Sequence, residues 1–474
     1  MHDVALRVYW RLPFALRSLV ASARGWQLRR WRYGAETEEL VAQALERERW
    51  SPAQWQAWRE ERLAFVLHRA ATRVPYYRDL WSARRRRGDR ASWEVLAHWP
   101  TLEKEAVRHR PEAFLADDCR PERMFEDHTS GSTGTPLRLW QSRATVRQWY
   151  ALFEARWRRW YGVSRHDRWA ILGGQMVAPV WRQRAPFWVW NAALHQLYVS
   201  VYHLSPRLIP DALAALRRHG ITHVLGYPSA LDALARSPVS DRRRIETLKV
   251  AIANAEPVYR HQRARIASGL RCPVRETYGM AEAVAAAGEC EAGRLHLWPE
   301  AGIIELFDGD AGRPGAAVGD LVATGLLNPD MPLIRYRTGD RATRATDQPC
   351  PCGRTLPVLR RIEGRRDDAI VTPDGRWVGR LDPVFKGGLP IREAQIVQEE
   401  IDRIRVPYVP APGFAPRHAR QIETRLRARL GRVTVILEEC DHIPRGAGGK
   451  LRGVVSLVHR RRAYATGGAA VPRQ

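Results

Sequence analysis

The sequence predicts an α/β protein in which a large N-terminal domain is followed by a small α+β domain. Three observations carry that prediction. From about Arg120 short apolar runs alternate with helical stretches, the signature of strands joined by helices. From Arg294 to Thr343 the chain turns to short strands broken by Gly and Pro. After Gly364-Arg365-Arg366-Asp367-Asp368 the pattern resets to strand, turn and one amphipathic helix. The expected division is residues 1–362 for the large domain, with a β-rich part at about 290–362, and residues 363–474 for the small one.

In chain order, a basic, Trp-rich segment from Leu6 to Trp31 comes first and is expected to form a helix packed on the domain, with a membrane surface as its other destination. Ser51-Pro52 pairs an N-cap residue with proline at the first helical position, and Trp55, Trp58, Leu63, Val66, Leu67 and Ala70 follow near helical spacing until Pro75. Strands are expected at Trp169 to Leu172, Val224 to Gly226 and Val250 to Asn254, with helices at Ile209 to His219 and Ser229 to Arg236 between them. Further strands centre on Ile303 to Leu306 and Leu321 to Thr324. The small domain places a helix at Arg417 to Leu430 and strands at Val433 to Glu438 and Val454 to Val458, before a tail from Ala463. No internal repeat is present.

Composition narrows the function classes. The net charge is +26, yet clusters such as Arg84 to Arg87, Arg242 to Arg244 and Arg460 to Arg462 are scattered and come with no nucleic-acid-binding module, so no nucleic-acid partner is expected. Lysine is scarce: only Lys104, Lys249, Lys386 and Lys450 occur, against 73 arginines. A lysine kept in such a chain marks a place for a compact cation where a guanidinium fork does not serve. Six cysteines without a secretory signal make no disulfide framework, which points to a reducing, cytoplasmic compartment. The apolar stretch Phe187 to Leu204 is interrupted by Asn191, His195, Gln196 and His203, so no membrane span is expected.

Ser130-Gly131-Ser132-Thr133-Gly134-Thr135-Pro136 interleaves hydroxyls with glycines whose backbone can approach an anion closely, as a phosphate cradle requires. Four more segments follow: Tyr278-Gly279-Met280-Ala281-Glu282, Pro332 to Asp340, Gly364 to Asp368, and Pro444-Arg445 ending in Gly449-Lys450. In this order and at these separations they resemble the adenylate-forming, acyl-CoA synthetase-like superfamily. Within it the chain is most similar to the phenylacetate-CoA ligase branch and its CapK-like capsular-polysaccharide-biosynthesis proteins. The resemblance runs from Arg73-Val74-Pro75-Tyr76-Tyr77-Arg78 to Lys450.

The resemblance implies ATP and Mg²⁺, coenzyme A as co-substrate, a carboxylic acid, and a small domain that turns between half-reactions. Ser130, Gly131, Ser132, Thr133, Gly134 and Thr135 would wrap the β- and γ-phosphates, and Glu282 would offer a hard oxygen to Mg²⁺. Asp340 would accept from the ribose hydroxyls, Arg365 would support the ribose or phosphate side as a catalytic residue, and Asp367 would be the hinge. Tyr278 and Gly279 would lie by the adenine next to the turn holding Ala255 and Glu256. Lys450 would reach the carboxylate and the α-phosphate. Two departures stand out: Gly448 where relatives often carry a hydroxyl residue, and Asn254 where Gly or Ser is usual.

Cys290, His296, Cys350 and Cys352 offer four ligands to a tetrahedral Zn²⁺, and the resembling branch includes members with a comparable cluster. With all four positions filled by protein, such a site is structural. Gly226-Tyr227-Pro228-Ser229 and the aromatic belt Trp181, Phe187, Trp188, Trp190 and Tyr198 are candidates for an acyl pocket, or else for core. The acceptor is expected to be coenzyme A, or a sugar or carrier in polysaccharide assembly. A rival reading is a noncatalytic protein of the same fold that docks on a membrane-associated polysaccharide assembly through the N-terminal segment, with peripheral contact at the inner membrane face.

Overall fold

The computed structural model of the chain describes residues 8–129, 137–175, 177–179, 182, 184–205, 207–236, 245–256, 258, 260–308, 313–345, 348–364, 369–373, 377–379, 381, 384–385, 389–441, 443 and 453–458. The described residues fall into two compact units, one within 8–129 and 137–364 and the other within 369–458.

The first unit opens with helices α1 (Phe14–Arg32), α2 (Thr37–Arg47), α3 (Pro52–Arg73) and α4 (Pro75–Arg86). Ser51 caps α3 reciprocally: its Oγ accepts from the Gln54 N–H at 3.3 Å, and Gln54 Oε1 accepts from the Ser51 N–H at 2.9 Å. Pro75 opens α4 directly after α3 stops, since its missing N–H costs nothing in a first turn. Helix α5 (Lys104–His109), the antiparallel pair β1 (Phe125–His128) and β2 (Arg138–Gln141), and α6 (Arg143–Trp157) follow.

The parallel part of the sheet comes next, with β3 (Trp169–Gly173), β4 (Trp188–Asn191), β5 (Gln196–Ser200), α7 (Ile209–Arg218), β6 (His223–Gly226), α8 (Pro228–Ala235), β7 (Val250–Ala253), α9 (Arg260–Leu270) and β8 (Val274–Gly279). Strands β5, β3, β6, β7 and β8 lie parallel in that order, and β4 closes the edge antiparallel to β5. Every residue of β6 and β7 is buried, which is why both read as apolar runs rather than alternating ones. Leu213, Leu216, Leu231, Leu234 and Ile266 of the three helices pack on that sheet.

Beyond β8 the direction reverses into β9 (Ala286–Glu289), β10 (Leu295–Leu297), β11 (Gly302–Asp308), β12 (Arg313–Pro314), β13 (Val318–Gly325), β14 (Tyr336–Arg344) and β15 (Val358–Gly364). The β-rich run is not a sheet of its own. Pairing of β8 with β9 joins it to the parallel strands, giving one 13-stranded sheet in the order β12-β11-β13-β14-β15-β10-β9-β8-β7-β6-β3-β5-β4.

The second unit holds the hairpin β16 (Ala369–Val371) with β17 (Trp377–Gly379), and a mixed sheet of β18 (Ile391–Ala394), β19 (Ile396–Glu400), β20 (Arg403–Pro410), β21 (Thr434–Glu439) and β22 (Val454–Ser456). Helix α10 (Pro416–Leu430) lays Ile422, Leu426 and Leu430 on Ile396, Ile404, Val406 and Val454. This is the expected α+β arrangement.

Candidate active site

Parallel strands present their carboxyl ends along one edge of an α/β sheet, and ligands bind in the crevice there. Among the predicted residues, Tyr278, Gly279 and Glu282 lie at or just past the end of β8, and Ala255 and Glu256 just past the end of β7.

After β8 the chain turns through Met280 to Ala283, whose φ is +53°. The turn buries Glu282, whose side chain is 6% exposed. Its Oε1 accepts from Lys104 Nζ at 3.0 Å and from the Tyr336 hydroxyl at 2.8 Å. Burial pushes this carboxyl up, but the Lys104 charge and the hydrogen bonds more than offset it and hold the group below the usual carboxylate range. Glu282 is therefore a buried anion at neutral pH, suited to a hard cation.

Lys104 reaches Glu282 because the segment before it is stitched to β14. The Leu102 N–H donates to the Arg335 carbonyl at 2.9 Å, and the Arg337 N–H donates to the Leu102 carbonyl at 3.0 Å. Arg335, at φ +47°, braces the same junction: its fork grips Glu305 at 3.0 and 3.1 Å and donates to the Trp99 carbonyl at 2.7 Å.

Asp340 is presented by a bulge. Asp320 pairs with Arg341 and Val322 with Arg337, so Thr338, Gly339 and Asp340 together oppose Leu321 alone. Gly339 absorbs the irregularity at φ +82°, and the Thr338 hydroxyl closes it by donating to the Leu321 carbonyl at 2.9 Å and accepting from the Asp340 N–H at 3.1 Å. Asp340 Oδ2 accepts from the Tyr278 hydroxyl at 2.8 Å, which joins β14 to β8.

Ala255 sits at φ +66°, and the Asn254 N–H before it donates to the Gly226 carbonyl at 3.0 Å. The Asn254 Oδ1 atom is buried with no hydrogen-bond partner among the described residues, an acceptor left over for a ligand N–H or O–H. Gly279 has a steric reason to be glycine: a Cβ there would lie 3.0 Å from the Trp157 ring.

Ser130, Gly131, Ser132, Thr133, Gly134, Thr135, Arg365, Asp367 and Lys450 lie outside the described residues. Lys104 and Tyr336 complete the site without having been assigned a role from sequence. The scarcity of lysine singled Lys104 out, and Tyr336 stands within the Pro332 to Asp340 motif. Of the aromatic belt, Phe187 and Trp188 are core: Phe187 stacks on His203 at 5.2 Å between ring centres, and both pack under α7 and α8. Trp190 stacks on His219 at 4.9 Å, and Trp181 lies outside the described residues.

Elsewhere on the same sheet the four predicted zinc ligands converge, with every pair of ligand atoms within 4.8 Å. Cys290 Sγ is 3.6 Å from Cys350 Sγ, and Cys352 Sγ is 3.4 Å from His296 Nε2. A tetrahedral zinc with bonds of about 2.3 Å to sulfur separates its sulfurs by about 3.8 Å, so the set fits the ion. Cys290 and Cys350 open matching turns: Gly293 and Gly353, at φ +73° and +77°, each donate an N–H to the cysteine carbonyl three residues back at 3.0 Å. His296 Nδ1 lies 3.0 Å from the Leu356 carbonyl, which favours a proton on Nδ1 and leaves Nε2 free to ligate.

The family model described as "AMP-binding enzyme" matches residues 55–308, and that described as "CapK C-terminal domain" matches residues 370–457. Protein CapK of Staphylococcus aureus is 23% identical over 366 residues, covering 76% of this chain and 80% of that protein. A phenylacetate-coenzyme A ligase of Aromatoleum evansii is 26% identical over 326 residues, covering 66% and 70%. Among solved structures, 2-hydroxyisobutyryl-CoA ligase with 2-HIB-AMP and CoA in its thioesterification state superimposes with a TM-score of 0.56 at 21% identity, covering 89% of this chain and 93% of that one. At that identity the likeness bears on the fold.

Proposed function

The chain belongs to the AMP-binding enzyme family, and from that premise we propose that it activates a carboxylic acid with ATP and passes the acyl group to an acceptor thiol, amine or hydroxyl. A carboxylate oxygen of the acid attacks the α-phosphorus, the bond to the bridging oxygen of pyrophosphate breaks, and an acyl-adenylate and pyrophosphate result. The acceptor nucleophile then attacks the acyl carbon and AMP leaves. Coenzyme A is the acceptor that the ligases among the relatives favour, and a sugar or carrier is the acceptor that the CapK likeness favours.

The observation that carries this reading is that two carboxylates from distant motifs are each bonded by a tyrosine across β8 and β14, Asp340 by Tyr278 and Glu282 by Tyr336. Glu282 would hold Mg²⁺, which supplies charge neutralisation for the phosphates when bound. Lys104, already 3.0 Å from that carboxylate, adds a second positive charge at the same point. Asp340, oriented by Tyr278, would accept from the ribose hydroxyls, and the unpartnered Asn254 Oδ1 would accept from the adenine amino group. Lys450 is assigned the α-phosphate on the family pattern, and the hydroxyl-glycine loop the β- and γ-phosphates. The Cys290, His296, Cys350 and Cys352 cluster is proposed to hold a structural Zn²⁺.

The test is ATP–pyrophosphate exchange with purified protein and Mg²⁺ across aryl, fatty, hydroxy and amino acids, with Lys450→Ala and Glu282→Gln as controls. Acid-dependent exchange that both variants lose supports the reading. Full exchange in either variant, or no exchange together with no ATP binding, overturns it.

A further inference from the structure

Helix α1 is inside out. The residues it buries are Arg17 and Gly25, while Leu16, Leu19, Val20 and Trp26 are exposed, at 45%, 64%, 48% and 57%. A surface helix ordinarily does the reverse. Phe14 at its start packs on the core and Trp31 at its end on Phe125, and between them the inward side is held by polar bonds to the edge strand β4 and the loop before it. Arg17 donates to the Val177 carbonyl at 3.1 Å, Ser18 Oγ accepts from the Trp190 N–H at 3.3 Å, and Ser22 Oγ accepts from the Ala192 N–H at 3.0 Å. Gly25 lets the Asn191 side chain press against the helix, since a Cβ there would fall 2.0 Å from its Oδ1. The seating is specific, so the outward apolar face is a property of the folded unit.

At 100° per residue Leu16, Leu19, Val20, Ala23 and Trp26 lie on one stripe, which rises about 15 Å along the axis. Arginines border it: Arg24 on one flank and Arg30 at its end, with the Arg30 guanidinium 4.8 Å over the Trp26 ring. Phe14–Arg32 contains Arg17, Arg24, Arg29, Arg30 and Arg32 and no acidic residue. No described helix is long and apolar enough to cross a membrane.

We propose that this outward face of α1 docks in the plane of an anionic lipid bilayer. The charge fits that occupant. An apolar stripe with a tryptophan and flanking arginines sinks into the headgroup boundary while the guanidiniums reach phosphates, and a helix without carboxylates meets no repulsion from an acidic leaflet. A second copy of the chain would bring the same arginines face to face. The inference is independent of the acyl chemistry.

The experiment is co-sedimentation of the full chain with vesicles of phosphatidylglycerol mixed into phosphatidylcholine, against phosphatidylcholine alone, over a salt series. Binding is expected to the anionic vesicles, to weaken with salt, and to fall by at least about tenfold in Leu19→Ser/Trp26→Ser, which leaves the charge untouched. Arg24→Glu/Arg30→Glu is expected to lose at least about tenfold as well. Both pairs are exposed, and ATP–pyrophosphate exchange together with circular dichroism checks that the variants are folded. Equal binding by the serine variant would mean that net charge alone holds the protein to the vesicle, and would sink the proposal. So would equal affinity for neutral vesicles. Self-association by analytical ultracentrifugation that the serine variant abolishes, without vesicle binding, would assign the face to a second copy instead.

Discussion

Replacing Lys104 with methionine removes the cation of a buried pair and leaves Glu282 in place, with the Tyr336 hydroxyl as its remaining side-chain donor. Breaking a buried ion pair from one side costs about 3–5 kcal/mol, because a charge is left without compensation. Lys104 is 22% exposed and its charge is partly screened by water, so about 2–3 kcal/mol is expected near neutral pH. The dependence on pH carries more information than the size. In the native protein the folded Glu282 carboxyl lies below its ordinary range, so its contribution is present above the ordinary carboxylate pKa and is lost as pH falls through the folded value. Without Lys104, burial, the largest influence on the group, is opposed only by the remaining hydrogen bonds, and the folded carboxyl rises. The stability that Glu282 gives above the ordinary carboxylate pKa is then reduced or lost, so the substitution costs more at neutral pH than at acid pH. Urea unfolding of both proteins from acid to neutral pH measures it, and Glu282→Gln in the Lys104→Met background should restore most of the loss. A penalty that is flat with pH, or that Glu282→Gln does not relieve, would refute the reasoning.

Tyr278→Phe deletes the 2.8 Å bond to Asp340 and should raise the ATP KM in the exchange assay by about fivefold with a smaller change in kcat, since about 1 kcal/mol of orientation is lost. Gly279→Ala forces a methyl to 3.0 Å from Trp157 and should destabilise by about 1–3 kcal/mol in a melt, with Trp157→Phe in the same chain recovering part of it. Arg335→Lys keeps the charge but loses the fork on Glu305 together with the Trp99 carbonyl, at a cost of about 2–4 kcal/mol by urea unfolding. Cys290→Ser should remove bound zinc, measured as metal content of the purified protein, and lower the melting temperature. Unchanged metal content would show that the cluster binds no ion through Cys290.

What the sequence disclosed and what it withheld divide along physical lines. The strands β6 and β7, the capped start of α3 and the amphipathic α10 were legible because each is set by local pattern: a buried run, a Ser-Pro cap, a 3.6-residue period. The Cys/His cluster was legible because soft ligands at close spacing announce themselves by residue type. The meeting of Lys104, Glu282 and Tyr336 was not, since Lys104 and Glu282 stand 178 positions apart and no periodicity relates them. Helix α1 shows the opposite failure. Its mix of arginines and large apolar residues gave a helix correctly but no orientation, which is set by the polar bonds of Arg17, Ser18 and Ser22 to the sheet edge and the loop before it, together with Phe14 packed on the core.

The geometry of the sheet links the Cys/His cluster to the proposed nucleotide site. In strand order β14 and β8 are separated by β15, β10 and β9, four spacings that would place them roughly 19 Å apart in a flat sheet. A tyrosine and an aspartate cannot span that gap, yet the Tyr278 hydroxyl bonds Asp340 at 2.8 Å and the Tyr336 hydroxyl bonds Glu282 at 2.8 Å. The strands between must curl until β14 and β8 close on each other, and register shifts in the β14–β15 pairing lie within that curl. Cys290 directly follows β9, His296 lies on β10, and Cys350 and Cys352 come from the loop leading into β15, so the cluster joins the three strands that make the curl. An ion there would hold the curvature that brings Asp340 and Tyr336 to β8. Loss of metal is therefore expected to weaken ATP binding from a distance, in Cys290→Ser protein whose Glu282 and Asp340 are intact.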